Sequence, residues 1–159
     1  MPTPLEYDEV RKLLPYRPPM LLIDRVADWS AREIVVEKTV FADDPLVDAH
    51  LIYGPKVMPG VLLIELVGQG AYLHQILRAS GAVQGPPRTR FLGRCKGRFV
   101  RPAGAGDRIL AEITEVGRAL NGAVHQGRLT VGNQLIAEVE VISGVVPSLA
   151  PNDSIGNAQ

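Results

Sequence analysis

Three hydrophobic rhythms run along this chain, and each predicts a different kind of element. Leu5 to Leu14 carries apolar residues at Leu5, Val10, Leu13 and Leu14 and is stopped by Pro15, which predicts a short N-terminal helix. Tyr16-Arg17-Pro18-Pro19 turns the chain. Met20 to Ala27 and Glu33 to Phe41 are rich in Leu, Ile and Val and flank Trp29-Ser30-Ala31-Arg32, the pattern of a strand hairpin. From Val57-Met58-Pro59-Gly60 the chain enters a continuous apolar run through Val61, Leu62, Leu63, Ile64, Leu66 and Val67, whose only charge before Arg78 is Glu65. That run predicts one long buried helix. After Gly81 and the loop signal Gly85-Pro86-Pro87 the period becomes two. Arg90 to Val100, Arg108 to Val116, Ala123 to Val131 and Gln134 to Ser143 are then four strands, separated by Pro102 to Asp107, Gly117 to Gly122 and Gly132-Asn133. In the last of them Ala137, Val139 and Val141 face one way and Glu138 and Glu140 the other, so the sheet has one wet face. The dry face needs a cover, and the central helix is the one element apolar enough all round to supply it. The prediction is an α+β fold, a curved antiparallel sheet wrapped around one long helix. From Val145 Pro147, Pro151, Asn152, Asp153, Gly156 and Asn157 accumulate without a period, predicting a domain over 1–144 and a loose tail over 145–159.

Composition narrows the function classes. A length of 159 residues suits a single core. With 17 basic and 17 acidic residues the net charge is zero, which argues against nucleic-acid binding by bulk electrostatics. The single cysteine, Cys95, rules out an internal disulfide framework and reads as a packed small residue. Together with an N-terminus, MPTPLEYDEV, that lacks a basic-then-apolar leader, it predicts a cytoplasmic protein. Val57 to Leu77 approaches membrane-spanning length, but Glu65, Gln69, His74 and Gln75 within it argue against a span.

The chemistry concentrates in Pro45 to Tyr72. A carboxylate among large aliphatic residues is costly unless it is neutral, paired or needed, so Glu65 asks for a reason. His50 lies upstream in a loop, and a histidine with a partly desolvated glutamate is equipment for moving protons near neutral pH. Pro59-Gly60 opens the helix and offers an unpaired backbone N–H to a developing oxyanion. Gln69, four residues after Glu65, shares its helical face and can orient the carboxyl group. Base, acid and oxyanion donor thus fall in one short segment, although a structural histidine and a buried structural acid fit the same spacing. His74 and His125 have no Cys, His or carboxylate at ligand spacing and read as structural, so no metal site is expected. Arg88, Arg90, Arg94, Lys96, Arg98 and Arg101 form a local basic strip. On a strand, Arg94, Lys96 and Arg98 share one face, either an ordinary solvated face or a docking strip for an acidic partner.

Five segments, in order, resemble the hotdog-fold 3-hydroxyacyl-carrier-protein dehydratases of fatty acid synthesis, of the FabZ type: LLPYRPPMLLIDRV at Leu13 to Val26, DPLVDAH ending in His50, VMPGVLLIE ending in Glu65 with Gln69 after it, GRFVRP at Gly97 to Pro102, and Gly106-Asp107. The resemblance spans roughly residues 5 to 144. It implies that His50 removes the C2 proton, that the Gly60 N–H holds the thioester oxygen, and that Glu65 protonates the departing C3 hydroxyl. Val57, Met58, Pro59 and Val61 would line the acyl tunnel with Gln69, while Tyr53, in the stretch after His50, reads either as shaping the pocket mouth or as a packing aromatic. The implied substrate is a 3-hydroxyacyl thioester on acyl carrier protein or CoA, with no metal or other cofactor. Arg94, Lys96, Arg98 and Arg101 would then face the acidic carrier. The implied assembly is a homodimer or a trimer of dimers, with His50 of one subunit facing Glu65 of its neighbour. Gly68, Gly70 and Ala71 fit either close approach of backbone or substrate, or tight packing on the sheet. One departure stands out. The family reads Gly-His-Phe-Pro-Gly at the histidine, whereas this chain reads Ala49-His50-Leu51-Ile52-Tyr53-Gly54-Pro55-Lys56, one residue longer before the Pro-Gly turn. Two other readings keep the fold: a hotdog thioesterase, which would release a free acid and thiol, and a non-catalytic acyl-binding protein.

Overall fold

The structure, a computed structural model, describes residues 4–79, 88–119 and 122–147. The expected loop at Gly85-Pro86-Pro87, part of the Gly117 to Gly122 turn and residues 148–159 lie outside the described residues. Helix α1 spans Tyr7–Leu13, strands β1 and β2 span Arg25–Trp29 and Glu33–Thr39, and a short helix α2 spans Pro45–Asp48. The long helix α3 covers Gly60–Ala79, followed by β3 (Arg88–Phe99), β4 (Arg108–Ala119), β5 (Gly122–Val131) and β6 (Gln134–Pro147). The six strands form one antiparallel sheet in the order β1-β2-β4-β5-β6-β3. Helix α3 lies along the inner face, the hotdog arrangement that the hydrophobic pattern and the resemblance both anticipated.

The core follows from the two periods. Leu63, Leu66, Val67, Ala71 and Leu73 of α3 are buried in one cluster with Ile34 and Val36 of β2, Ile109 and Ile113 of β4, Leu129 of β5, and Val139 and Val141 of β6. Each large aliphatic side chain so buried stabilises the fold by roughly 1.5–3 kcal/mol. By length and mean hydropathy (20 residues, 1.2) α3 is apolar enough to cross a membrane, but it serves here as the core helix under the sheet. Two glycines let helix and sheet approach. A Cβ on Gly70 would overlap the Ile113 side chain, and one on Gly127 would lie 2.6 Å from Val67 Cγ2, whereas a Cβ on Gly68 would meet nothing within 4 Å. Gly70 therefore serves tight packing on the sheet.

Several boundaries differ from expectation for identifiable reasons. Leu5 is outside α1 because its backbone pairs with Val26 (Leu5 N–H to Val26 O 3.1 Å, Val26 N–H to Leu5 O 2.8 Å). Met20 to Asp24 is not strand. The Met20 carbonyl and Leu22 N–H are taken by the Gln69 side chain instead of a neighbouring strand. Strand β6 runs to Pro147, beyond the expected domain end at residue 144, because β3 supplies partners for it (Arg90↔Val145, Thr89↔Val146, Arg88↔Pro147). Cys95, expected to be packed, is exposed. It lies on β3, the last strand in the sheet order, which has no neighbouring strand on its outer side among the described residues.

Candidate active site

His50 is delivered by an element that the sequence pattern did not reveal as helical. Asp44 caps α2, its Oδ1 accepting from the Leu46 N–H at 2.9 Å, and Pro45 occupies the first helical position. Both are ordinary helix-start signals, hidden here because only four residues follow. The His50 N–H continues the turn to Val47 O at 3.3 Å. Its ring Nδ1 lies 3.1 Å from Val57 O. A carbonyl can only accept, so Nδ1 of the neutral ring carries the hydrogen and Nε2 keeps its lone pair.

The far side of the loop is anchored as firmly. Met58 N–H donates to Ala103 O and Ala105 N–H to Lys56 O, both at 2.9 Å, around a backbone bridge between Val57 and Gly104. Asp107 Oδ2 accepts from Gly104 N–H at 2.7 Å, which accounts for the aspartate of the fifth matching segment. Lys56 Nζ reaches back to Asp48, donating to its backbone O at 3.0 Å and its Oδ1 at 2.6 Å. The extra residue is thereby pushed outward between fixed ends. Ile52 and Tyr53 are 83% and 90% exposed, and Gly54 takes φ +101° to complete the turn. Tyr53, read as shaping a pocket mouth or as a packing aromatic, stands out toward solvent in the single chain.

Glu65 sits half-buried on α3, with its Oε1 accepting from Gln69 Nε2 at 2.8 Å. Gln69 is fully buried and fully used. Its Nε2 also donates to Met20 O at 2.7 Å, and its Oε1 accepts from Leu22 N–H at 3.0 Å. The expectation that Gln69 orients Glu65 has its hydrogen bond, and the amide also ties the N-terminal segment down. Tyr16, from that segment, was missed. Burial pushes its hydroxyl pKa up, and the nearby Glu65 and then Tyr72 push it further. Its ring meets Tyr72 edge-on at 6.5 Å, and Arg90 stands over Tyr72 at 5.0 Å. The available signal was its place in the first matching segment.

Gly60 begins α3, where the first N–H groups have no intrahelical acceptor, and the Phe99 ring lies 3.5 Å from where a Cβ would stand. The other expected lining residues separate: Met58 is buried, Val57 and Pro59 are half-buried, and Val61 is 69% exposed. Among the described residues no hydrogen bond or ion pair joins His50 to Glu65 within one chain. A trough of about 760 Å³ lies elsewhere, on the outer sheet face between Lys96, Arg98, Glu112, Arg128 and Glu138.

In the basic strip, Arg98 pairs with Glu138 at 2.7 Å and Arg101 donates to the Gln134 side chain. Arg94 and Lys96 are exposed and have no such partner among the described residues. His74 and His125 are not isolated. Both are fully buried and meet with their ring centroids 5.7 Å apart, with Glu115 4.0 Å from His125 Nε2. The fold brings together groups that sequence spacing kept apart. Burial lowers both imidazole pKa values, that of His125 to about 4.

Residues 14–140 match the FabA-like domain. The chain is 31% identical over 141 residues to the 3-hydroxyacyl-[acyl-carrier-protein] dehydratase FabZ of Thermotoga neapolitana, covering 89% of this chain and 98% of that protein. The protein of the same name from Anaeromyxobacter dehalogenans is 37% identical, over 84% of this chain and 86% of its own length. Among solved structures, the dehydratase heterocomplex ApeI:P from Xenorhabdus doucetiae superposes with a TM-score of 0.72 at 16% identity, covering 91% of this chain and 92% of that one. A thioesterase from Haemophilus influenzae superposes at 0.65 with 17% identity, over 93% and 95% of the two chains. At such identities the structural likeness speaks to the fold alone, while the sequence relatives and the matched domain speak to descent. This chain belongs to the FabA-like domain family, to which its five spaced segments, its sheet order and its relatives all point.

Proposed function

We propose that this protein is a hydro-lyase that removes water from 3-hydroxyacyl thioesters carried on acyl carrier protein, with His50, Gly60 and Glu65 as its working groups. The observation that carries the reading is the bond from His50 Nδ1–H to Val57 O, which aims the Nε2 lone pair out of the loop as a base. His50 Nε2 takes the C2 proton while the Gly60 N–H, at the positive end of α3, receives the charge that gathers on the thioester oxygen. Glu65 in its acid form gives its proton to the C3 hydroxyl. The C3–O bond breaks, water leaves, and the electron pair of the broken C2–H bond becomes the second bond between C2 and C3 in a trans-2-enoyl thioester. The Gln69 amide holds one oxygen of Glu65 and leaves the other to deliver the proton.

Two copies complete the site. No hydrogen bond or ion pair joins the two groups within one chain among the described residues, and in this reading His50 of one subunit faces Glu65 of the next. The outer edge of β3, with Phe91, Leu92 and Phe99 and the following Val100 each about half exposed, is the surface by which a homodimer forms. Dimers in turn can group in threes. Exposed Arg94 and Lys96 steer the acidic carrier, with Arg98 and Arg101 at the flank, and a reducing cytoplasmic setting suits the free thiol of Cys95.

The test follows enoyl absorbance and free thiol together during incubation with a 3-hydroxyacyl thioester of the carrier. Absorbance without thiol is expected, and it is lost in His50→Ala and in Glu65→Gln. Thiol release would instead make the protein a thioesterase, and silence in both signals would make it an acyl-binding protein. Mixing the two inactive variants under exchange conditions restores about a quarter of the native rate if sites are shared across a two-fold dimer. No recovery would place each site within one subunit.

A further inference from the structure

We infer that His74, His125 and Glu115 form a binding site for a single Zn²⁺ ion, separate from the acyl site. The three residues come from three elements, α3, β5 and β4, and their ligand atoms all lie within 4.8 Å of one another. His74 Nε2 is 3.0 Å from Ser30 O. That carbonyl accepts, so Nε2 carries the hydrogen and the Nδ1 lone pair is turned inward, toward His125 Nε2 at 3.5 Å. An imidazole whose second nitrogen donates to a backbone carbonyl is the usual support of a metal-bound histidine.

The spacing fits the ion. Zn–N bonds of about 2.0–2.1 Å in tetrahedral geometry place two nitrogens roughly 3.4 Å apart, close to the 3.5 Å observed. Glu115 stands directly opposite His125 in the β4–β5 ladder, with Oε2 4.0 Å from His125 Nε2. A small rotation of its carboxylate brings it into the first coordination sphere. In the empty site His74 Nδ1 and Glu115 Oε2 are both acceptors facing His125 Nε2, so that nitrogen carries the ring's hydrogen; Zn²⁺ takes its position when the hydrogen shifts to His125 Nδ1, which is buried and has no hydrogen-bond partner. Two imidazoles and one carboxylate, with a fourth position open, match zinc better than a hard cation such as magnesium.

Arg78 is the competitor. Its guanidinium hydrogen-bonds Glu115 Oε2, and Arg118 lies 3.8 Å from the other oxygen. Arg78 is 31% exposed in its side chain, so it can swing to solvent when the ion arrives and uncover the way in past Glu115. A bound ion would join the last turns of α3 to β4 and β5. His74 lies nine helical steps beyond Glu65, about 14 Å along the axis, so the ion is a brace and not a participant in dehydration.

The experiment titrates the chelator-treated full chain with Zn²⁺ alone, by calorimetry and by thermal melting. One equivalent per chain is expected, with a melting temperature raised by about 5 °C or more at saturation. Glu115→Gln and His125→Gln abolish the high-affinity event, His50→Ala leaves it intact, and Arg78→Gln tightens it several-fold by removing the competing cation. Binding that survives Glu115→Gln, or that disappears in His50→Ala, overturns the site. Should His125→Gln fail to fold, ring ¹⁵N spectra of the native protein decide: Zn²⁺ must move His74 Nδ1 and His125 Nε2, and movement of the His50 ring alone refutes the inference.

Discussion

Replacing Gln69 by Met tests the link between the N-terminal segment and Glu65. The substitution keeps side-chain length and volume, so it opens no large cavity, but it removes the hydrogen bonds to Leu22 N–H, Met20 O and Glu65 Oε1 at once. Leu22 is 1% exposed, and its orphaned N–H costs about 1–3 kcal/mol. Met20 is 41% exposed, so its carbonyl finds water and adds about 1 kcal/mol or less. The expected destabilisation is about 2–4 kcal/mol, or roughly 5–15 °C in melting temperature for a domain of this size. Glu65, released from its amide, loses its aim, and kcat falls on the order of a hundredfold with little change in KM. Glu65→Gln separates the two effects. It leaves the Gln69 bonds to Leu22 N–H and Met20 O in place and still offers the amide an oxygen, so kcat falls with little loss of stability. Urea melts and enoyl absorbance measure both quantities. A Gln69→Met protein within about 0.5 kcal/mol of the native one would refute the clip, and a destabilised variant with native kcat would refute Gln69 as the residue that positions Glu65.

Other outcomes follow from the same geometry. Lys56→Met removes the tie from the loop to Asp48; this half-exposed ion pair contributes at most about 1 kcal/mol, so the melting temperature should barely move while kcat drops about tenfold or more as His50 loses its fixed aim. Gly127→Ala drives a methyl into the β-branched Val67, both of whose methyls lie within 3.0 Å of it, and should cost about 1–3 kcal/mol in a chemical melt. Gly68→Ala meets open space on α3 and should stabilise by up to about 1 kcal/mol; a loss of activity with stability intact would place substrate or partner against that face. In chelator, His125 is neutral in the folded protein with its pKa lowered to about 4, against an ordinary value of 6.5. The unfolded chain therefore binds the extra proton first, and stability present above pH 6.5 is lost as pH falls toward 4, by up to about 3 kcal/mol. Urea midpoints between these limits should slope downward with acid, and His125→Gln should flatten the slope.

By itself the amino-acid sequence determined what depends on near neighbours in the chain. The aliphatic run of α3, the alternation of Ala137, Val139 and Val141 in β6, and the placement of Gln69 one turn beyond Glu65 all follow from fixed local periods. The spaced segments around His50 and Glu65 pointed to the family for the same reason: each is short and continuous. Only the tertiary structure decided what depends on register and on which elements touch. It turned Met20 and Leu22 away from a strand and onto Gln69, across 49 and 47 residues of sequence, and made that amide a clip as well as an orienter. It hid the four-residue helix α2 from a periodicity that needs more than one turn to show. It left Cys95 exposed by making β3 an edge, and it set Glu115 opposite His125 and both beside His74. Strand register is a cooperative property of the assembled sheet, in which a slip of one residue turns every side chain to the other face. No local pattern encodes it, and that is why a cluster drawn from three distant elements could be read only from the fold.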